Sequence, residues 1–333
     1  MQRYAKGPTL EDVASECGVS RATVSRVINR SNSVSSATID RVQKALVKLG
    51  YTPNSSARIL SGGLSRTLVL MLPATWRSYY GSLLHGIEEA ATKHDYHVLI
   101  KANGRLKSVL NLVRSRQIDG MIVRNTSPSS KDIAFYKQLN QMRLPCVHIG
   151  NVTKTRFDAS VMIDNVGGSR RMAHHLADRG YRRILFITGP KNNTDSEDRI
   201  SGFKLGWDER GCNRESLVFR EGDYSQDSGY HIAHDYTRTH VVDAVYAAND
   251  RMALGVMLSL RGTGLRIPED VAVAGFDNDF CSQYLTPALT TVNQPMYDMG
   301  FMAAQNLILL IEEVKLTDHR VLLPAELIVR DST

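Results

Sequence analysis

The sequence predicts a small all-α head joined to a two-lobe α/β body built on parallel sheets. Three observations carry this. Residues 1 to 66 hold ten Lys or Arg against four Asp or Glu, a balance of +6, whereas the remaining residues hold 31 against 30, so nearly all of the net +7 sits in the first fifth of the chain. Within that fifth, apolar residues recur at helical spacing. From Thr67 onward, unbroken apolar runs of strand length alternate with amphipathic segments, the pattern of strands buried on both faces beneath helices. A basic module on a near-neutral body points to nucleic acid or another anionic surface as a partner.

In the head, Thr9 stands at an N-cap position before LEDVASE, with Asp12 three residues on as in a capping box, and the helix is expected to stop at Cys17-Gly18. Ser20 caps a second helix, RATVSRVI. After the polar loop NRSNSV, a third helix begins near Ser35, runs through IDRVQKALVKLG and ends on Gly50. Leu10, Val13, Ala14, Val19, Val24, Val27, Ile28, Val42, Leu46 and Leu49 supply its core. Two short helices joined by a Gly-containing turn and braced by a third describe a helix-turn-helix, whose second helix enters the major groove. Here that helix carries Arg21, Ala22, Thr23, Ser25 and Arg26. A solvated surface helix would show the same polar face; its neighbours favour the DNA-binding motif.

The body reads in order as strand TLVLMLP, helix YGSLLHGIEEAATKH, strand HVLIKA, helix LKSVLNLVRSR, strand IDGMIV, helix AFYKQLNQM and strand PCVHIG. It resumes with ASVMID, GGSRRMAHHLADRG, RRILFIT, a helix around RISGFKLGWDERG, ESLVFR, a helix through GYHIAHDYTRT, DAVYAA, DRMALGVMLSLRG and DVAVAGFD. Two such series mean two α/β lobes. In open α/β sheets a ligand sits at the carboxyl ends of the strands, and two facing lobes turn those ends into a cleft.

Other classes find no support. No apolar run approaches the roughly 18 to 20 residues of a membrane span, and MQRYAKGPTLEDVA has no apolar signal core, so a cytoplasmic protein with no membrane partner is expected. Cys17, Cys146, Cys212 and Cys281 are scattered and form no CxxC pair. His94-x-x-His97 and His231-x-x-His234 lack a third ligand. Phosphate loop, HExxH and GxSxG are all missing. No metal, cofactor or catalytic constellation is therefore expected, and the chain does not read as an enzyme.

The run TLEDVASECGVSRATVSRVINRSNSVSSATIDRVQKALVKLGYTPNSSARIL resembles the DNA-binding head of the lactose/galactose repressor family of bacterial transcription regulators. That resemblance implies that Arg21 and Ala22 face base edges with Ser25 and Arg26 close behind, while Ser20, Thr23 and Asn29 hold phosphates. Arg can indeed take guanine O6 and N7 bidentately, and hydroxyls and amides fix register on the backbone. It further implies a hinge helix from Asn54 to Ser61, with the Ala57-Arg58-Ile59-Leu60 pattern intact and Leu60 as a minor-groove wedge. The expected domains are 1–52 for the head, 53–65 for the hinge and linker, and 66–333 for the body.

The body is similar over its whole length to the family's effector domain, itself like periplasmic sugar-binding proteins. DNVGGSRRMAHHL, FITGP, DRISGF, AANDRMALG, VAGFDN and LTTVNQP carry the match. That fold implies three crossings between lobes, expected near Asn151 to Val161, Asp277 to Thr291 and Val321. The N-lobe would then span about 66–160 and 294–320, and the C-lobe about 161–291 and 321–331. Trp76, Tyr79 and Tyr80 follow the first strand as flat rings suited to a sugar face. Arg124 follows another strand. Arg199, Asn249, Asp277 and Gln294 match family positions that bind effector hydroxyls. Two departures stand out: Gly150 lies where many relatives have a sugar-gripping Asp, and Arg124 is a cation where a neutral residue is common. Arg124 and Arg199 together shift the expected effector from a neutral sugar or nucleoside toward a sugar acid or sugar phosphate. The function that follows is a ligand-responsive repressor binding a palindromic operator in double-stranded DNA as a homodimer, since no leucine heptad follows ELIVRDST. The alternatives are an activator or a cytoplasmic sugar-binding protein on the same fold.

Overall fold

The computed structural model describes residues 7–28, 34–51, 59, 63–73, 78–102, 106–151 and 157–333. The chain forms two compact units, Met1–Ser65 and Arg66–Thr333. In the first, Thr9 caps α1 (Leu10–Cys17) reciprocally: its Oγ1 accepts from the Asp12 amide at 3.3 Å, and the Asp12 carboxylate accepts from the Thr9 amide at 2.7 Å. Two amides that the first helical turn leaves without partners are thereby satisfied. Gly18 ends the helix at φ 61°, a left-handed conformation that costs an L side chain about 1–2 kcal/mol. The chain turns there into α2 (Arg21–Ile28), where the Thr23 amide donates to Ser20 Oγ at 3.1 Å. α3 (Ser36–Leu49) packs on both, and Val13, Ala14, Cys17, Val24, Val27, Val42 and Ala45 are the buried core.

The second unit starts with β1 (Thr67–Leu72), α4 (Gly81–Lys93), β2 (His97–Ala102), α5 (Leu106–Arg114), β3 (Gly120–Arg124), α6 (Ser130–Gln141), β4 (Cys146–Ile149) and β5 (Ala159–Ile163). It continues through α7 (Asn165–Asp178), β6 (Ile184–Thr188), α8 (Thr194–Glu209), β7 (Leu217–Glu221), α9 (Gln226–Thr237), β8 (Ala244–Ala247), α10 (Asp250–Gly262) and β9 (Ala272–Ala274). Last come β10 (Thr291–Val292), α11 (Met296–Ile311), β11 (Arg320–Leu323) and β12 (Leu327–Ile328). One sheet has the order β11-β5-β4-β3-β1-β2 and the other β7-β6-β8-β9, every pair parallel; β10 and β12 pair antiparallel. The helices pack in pairs, α4 with α11, α7 with α8 and α9 with α10. The second lobe centres on Phe186, Phe203, Trp207 and Tyr246, all fully buried, with the Phe186 and Tyr246 rings 4.4 Å apart.

The three crossings fall later than the sequence places them. β5 pairs with β4 and with β11, so both Ala159–Ile163 and Arg320–Leu323 belong to the first sheet. The chain therefore leaves that lobe at Asp164, not between Asn151 and Val161, and makes its third crossing after Leu323, not at Val321. The second follows Asn293, which still bridges to Asp277 beside β9. The cause is that ASVMID would suit either sheet by its apolar pattern, and only pairing assigns it.

Candidate DNA-binding helix and interlobe site

On α2, Val24 and Val27 turn into the core while Arg21, Ala22 and Arg26 are exposed and Thr23 and Ser25 are half-buried. Arg21 Nη1 lies 3.3 Å from Glu11, but both side chains are in water, where such a pair is worth little and is readily exchanged for a phosphate or base. Ser20 is first of all a cap, accepting from the Thr23 amide, and the hydroxyls of the two residues meet at 2.9 Å. Asn29, Asn54, Ala57, Arg58, Leu60 and Trp76 lie outside the described residues.

The second site forms where strand ends of the two lobes meet. Parallel register places Arg124, the last residue of β3, beside Ile149, the last of β4. Arg124 Nη2 reaches across to Asp195 on α8 of the other lobe at 2.7 Å, and Nη1 donates to Ile149 O at 3.3 Å. The pair is deeply buried, with 5% and 6% of the side chains exposed. Gly150 makes this possible. It sits at φ 106°, and a Cβ there would lie 2.3 Å from Arg124 Nη1. Further bonds join the lobes around the pair: Asn193 Nδ2 donates to Thr126 Oγ1 at 2.9 Å, the Thr194 amide to Thr126 O at 3.2 Å, and Asn151 Nδ2 to Asp198.

Arg199 lies next to this pair, 2% exposed, its guanidinium carbon 3.7 Å from the Phe276 ring centre. Its Nε donates to Asn165 Oδ1 at 2.9 Å, its Nη1 donates to Ala248 O, and Asp277 Oδ1 is 3.5 Å away. Gln294 Nε2 donates to the same Asp277 oxygen at 2.6 Å. Asn249 caps α10, accepting from the Met252 amide, and donates to Tyr224 O, so its amide is spent largely on local structure. Tyr79 and Tyr80 meet edge to face at 4.9 Å. Burial raises both phenols, with Arg124 opposing.

Charge in the site is largely matched. Burial alone would raise the Asp195 carboxyl, but Arg124 and Arg199 together hold it below the ordinary range. Burial works against the Arg124 charge, and Asp195 together with Tyr80 and Tyr79 more than offsets it. In the second pair, burial outweighs the pull of Arg199 and raises the Asp277 carboxyl to about 8. A guanidinium does not shed its proton, so the ion pair leaves the least charge unmatched in the interior. Burial also lowers the His148 imidazole to about 4, although its ring nitrogens lie 2.9 and 3.2 Å from the carbonyls of Gly150 and Asn125.

Tyr79, Tyr80, Arg124, Arg199, Asn249, Asp277 and Gln294 are thus brought to one place. The premise of two free cations, which pointed to an acidic effector, does not hold, because Asp195 and Asp277 face them. Sequence reading passed over Asn165, Tyr224, Phe276 and His148. Asn165, Tyr224 and Phe276 each follow a strand, β5, β7 and β9, and were within reach of the strand-end rule; His148, inside β4, carries no such signal.

Comparison with known proteins places this architecture. Residues 9–54 match the bacterial regulatory proteins of the lacI family, and residues 173–333 match the periplasmic binding protein-like domain. The HTH-type transcriptional regulator RegA of Clostridium saccharobutylicum is 32% identical over 332 residues, covering 98% of this chain and 99% of its own. The chain belongs to the lacI family. Among solved structures, this lacI-family protein is similar to the lac repressor dimer bound to operator and the anti-inducer ONPF, with a TM-score of 0.83, 27% identity, and 98% and 99% of the two chains covered. It is also similar to the complex of the regulator CelR with cellobiose, at a TM-score of 0.74, 30% identity, and 98% and 100% coverage. As a family member it is a DNA-binding transcriptional regulator. Among the described residues, no helix is long and apolar enough to cross a membrane.

Proposed function

We propose that this protein is a cytoplasmic repressor that binds a palindromic operator as a homodimer and is switched by a small sugar-like effector held between the lobes of Arg66–Thr333. It acts by binding and not by catalysis. In this reading Arg21, Ala22, Ser25 and Arg26 face bases, Ser20, Thr23 and Asn29 face phosphates, and Leu60 is the wedge of a hinge that includes Asn54, Ala57 and Arg58. Trp76, Tyr79, Tyr80, Arg124, Arg199, Asn249, Asp277 and Gln294 line the effector site. The observation that carries the effector half is the convergence of polar strand-end groups from both lobes on Arg199 and Asp277, a lobe-bridging cluster of the kind a hydroxyl-bearing ligand would complete. Similarity to an operator-bound repressor and to a cellobiose complex supports the same reading.

The test is a gel shift with duplex fragments taken from beside the protein's own gene, followed by addition of sugars and nucleosides. A palindromic fragment should be retained at salt concentrations that release random DNA, and one class of ligand should change the affinity for it by about 5- to 150-fold, the usual range of such coupling. Equal affinity for palindromic and random fragments would remove the regulator's operator reading.

A further inference from the structure

We propose that Arg124 is the specificity-determining residue of the interlobe site: with its charge held by Asp195, it offers a ligand one hydrogen-bond donor and selects an uncharged, hydroxyl-bearing effector over the same molecule carrying a carboxylate or phosphate. The inference rests on the effector reading above. Arg124 is 4% exposed, and its Nη2 and Nη1 groups are engaged by Asp195 and Ile149 O. Its Nε has no hydrogen-bond partner among the described residues, and neither does the buried Gln294 Oε1, whose Nε2 is engaged by Asp277. Arg124 therefore keeps one buried unfilled donor and Gln294 one buried unfilled acceptor.

Leaving such groups unpaired away from water is costly, so a ligand that satisfies both is favoured. A hydroxyl accepts and donates; an ionised carboxylate or phosphate only accepts, and can answer Nε but not Oε1. Charge acts in the same direction. An anion beside Arg124 would approach the Asp195 carboxylate, which is already committed to Arg124 and also accepts from Asn165 Nδ2 at 3.1 Å. Arg199 likewise has Asp277 facing it, with its Nε engaged by Asn165 and its Nη1 by Ala248 O and Asp277. Gly150 belongs to the same device. Any side chain at that position would meet the Arg124 guanidinium, so the arginine fills the room that an Asp at 150 would need.

Full-length protein is titrated calorimetrically and by thermal shift with matched pairs: galactose and galacturonate, glucose and glucose 6-phosphate, ribose and ribose 5-phosphate, adenosine and adenosine 5′-monophosphate. The expected result is at least one neutral member bound ten-fold or more tightly than its charged counterpart. Asp195→Asn should shrink that preference ten-fold or invert it, because the Arg124 charge is then unmatched. Arg124→Met/Asp195→Asn restores the charge balance and serves if the single variant does not fold. It should bind the neutral ligand at least ten-fold more weakly while still rejecting the charged one. Preference of the wild type for a charged member, or unchanged neutral affinity in the double variant, overturns the role of Arg124 and leaves the effector reading standing. No response to any pair, with operator binding intact, removes the effector reading and this inference with it.

Discussion

Replacing Asp195 by Asn takes away the carboxylate facing Arg124 at 2.7 Å while leaving the guanidinium where only 5% of it is exposed. Attraction between the two charges is not the measure of the loss. What counts is that a buried cation is left with the Ile149 carbonyl and an amide oxygen in place of an anion, and removing one partner of such a pair costs about 3–5 kcal/mol. For a unit the size of Arg66–Thr333, a kcal/mol shifts the melting temperature by about 2 °C, so a fall on the order of 6–10 °C is expected. Arg124→Met alone should also destabilise, since Asp195 then lacks its nearest cation. Removing both charges together in Arg124→Met/Asp195→Asn should recover part of the loss, because neutral replacement of a buried pair is often tolerated. The four proteins form a thermodynamic cycle, with a coupling of roughly 1–3 kcal/mol expected for residues in contact. Urea unfolding followed through Trp207, fully buried in the second lobe, supplies the energies. Losses that add to within about 0.5 kcal/mol, or an Asp195→Asn protein that melts with the wild type, would refute the view that these charges sustain one another.

Three further outcomes follow from the geometry. Gly150→Ala should destabilise by about 1–3 kcal/mol from its positive φ alone and by more through the contact with Arg124, so denaturant midpoints should show a smaller cost in an Arg124→Met background; equal costs would mean the contact does not matter. His148, lowered to about 4, titrates well below an unfolded imidazole, so its contribution is present above pH 6.5 and is lost as pH falls toward 4. It amounts to roughly 3 kcal/mol, and the stability of His148→Gln should fall less steeply than wild type between those limits. In the head, Arg26→Ala and Arg21→Ala should each weaken operator binding by about 1–3 kcal/mol without lowering the stability of the body; competition gel shifts that return the wild-type ratio of operator to random DNA would show that the residue does not read bases.

The head was legible almost to the residue. Thr9, Gly18, Ser20 and Gly50 act on neighbours within four positions, and capping geometry depends on little else. The strands of the body and the residues just after them were legible for the same reason, since burial on both faces leaves an unbroken apolar run and every parallel strand presents its carboxyl end to the same edge. Which sheet a strand joins was not legible. ASVMID would satisfy either lobe by its apolar pattern, and the register of β5 with β4 and β11 is settled by partners distant in the chain. The same holds for the charge of the interlobe site. Arg124 and Asp195 are 71 positions apart, and nothing local to either reveals that a glycine at 150 clears the space in which they meet. Composition and spacing determined that Arg124 would stand at a strand end and Arg199 in the helix that follows β6; folding decided that each would stand opposite a carboxylate, because a charge carried that far from water is tolerated only with a partner.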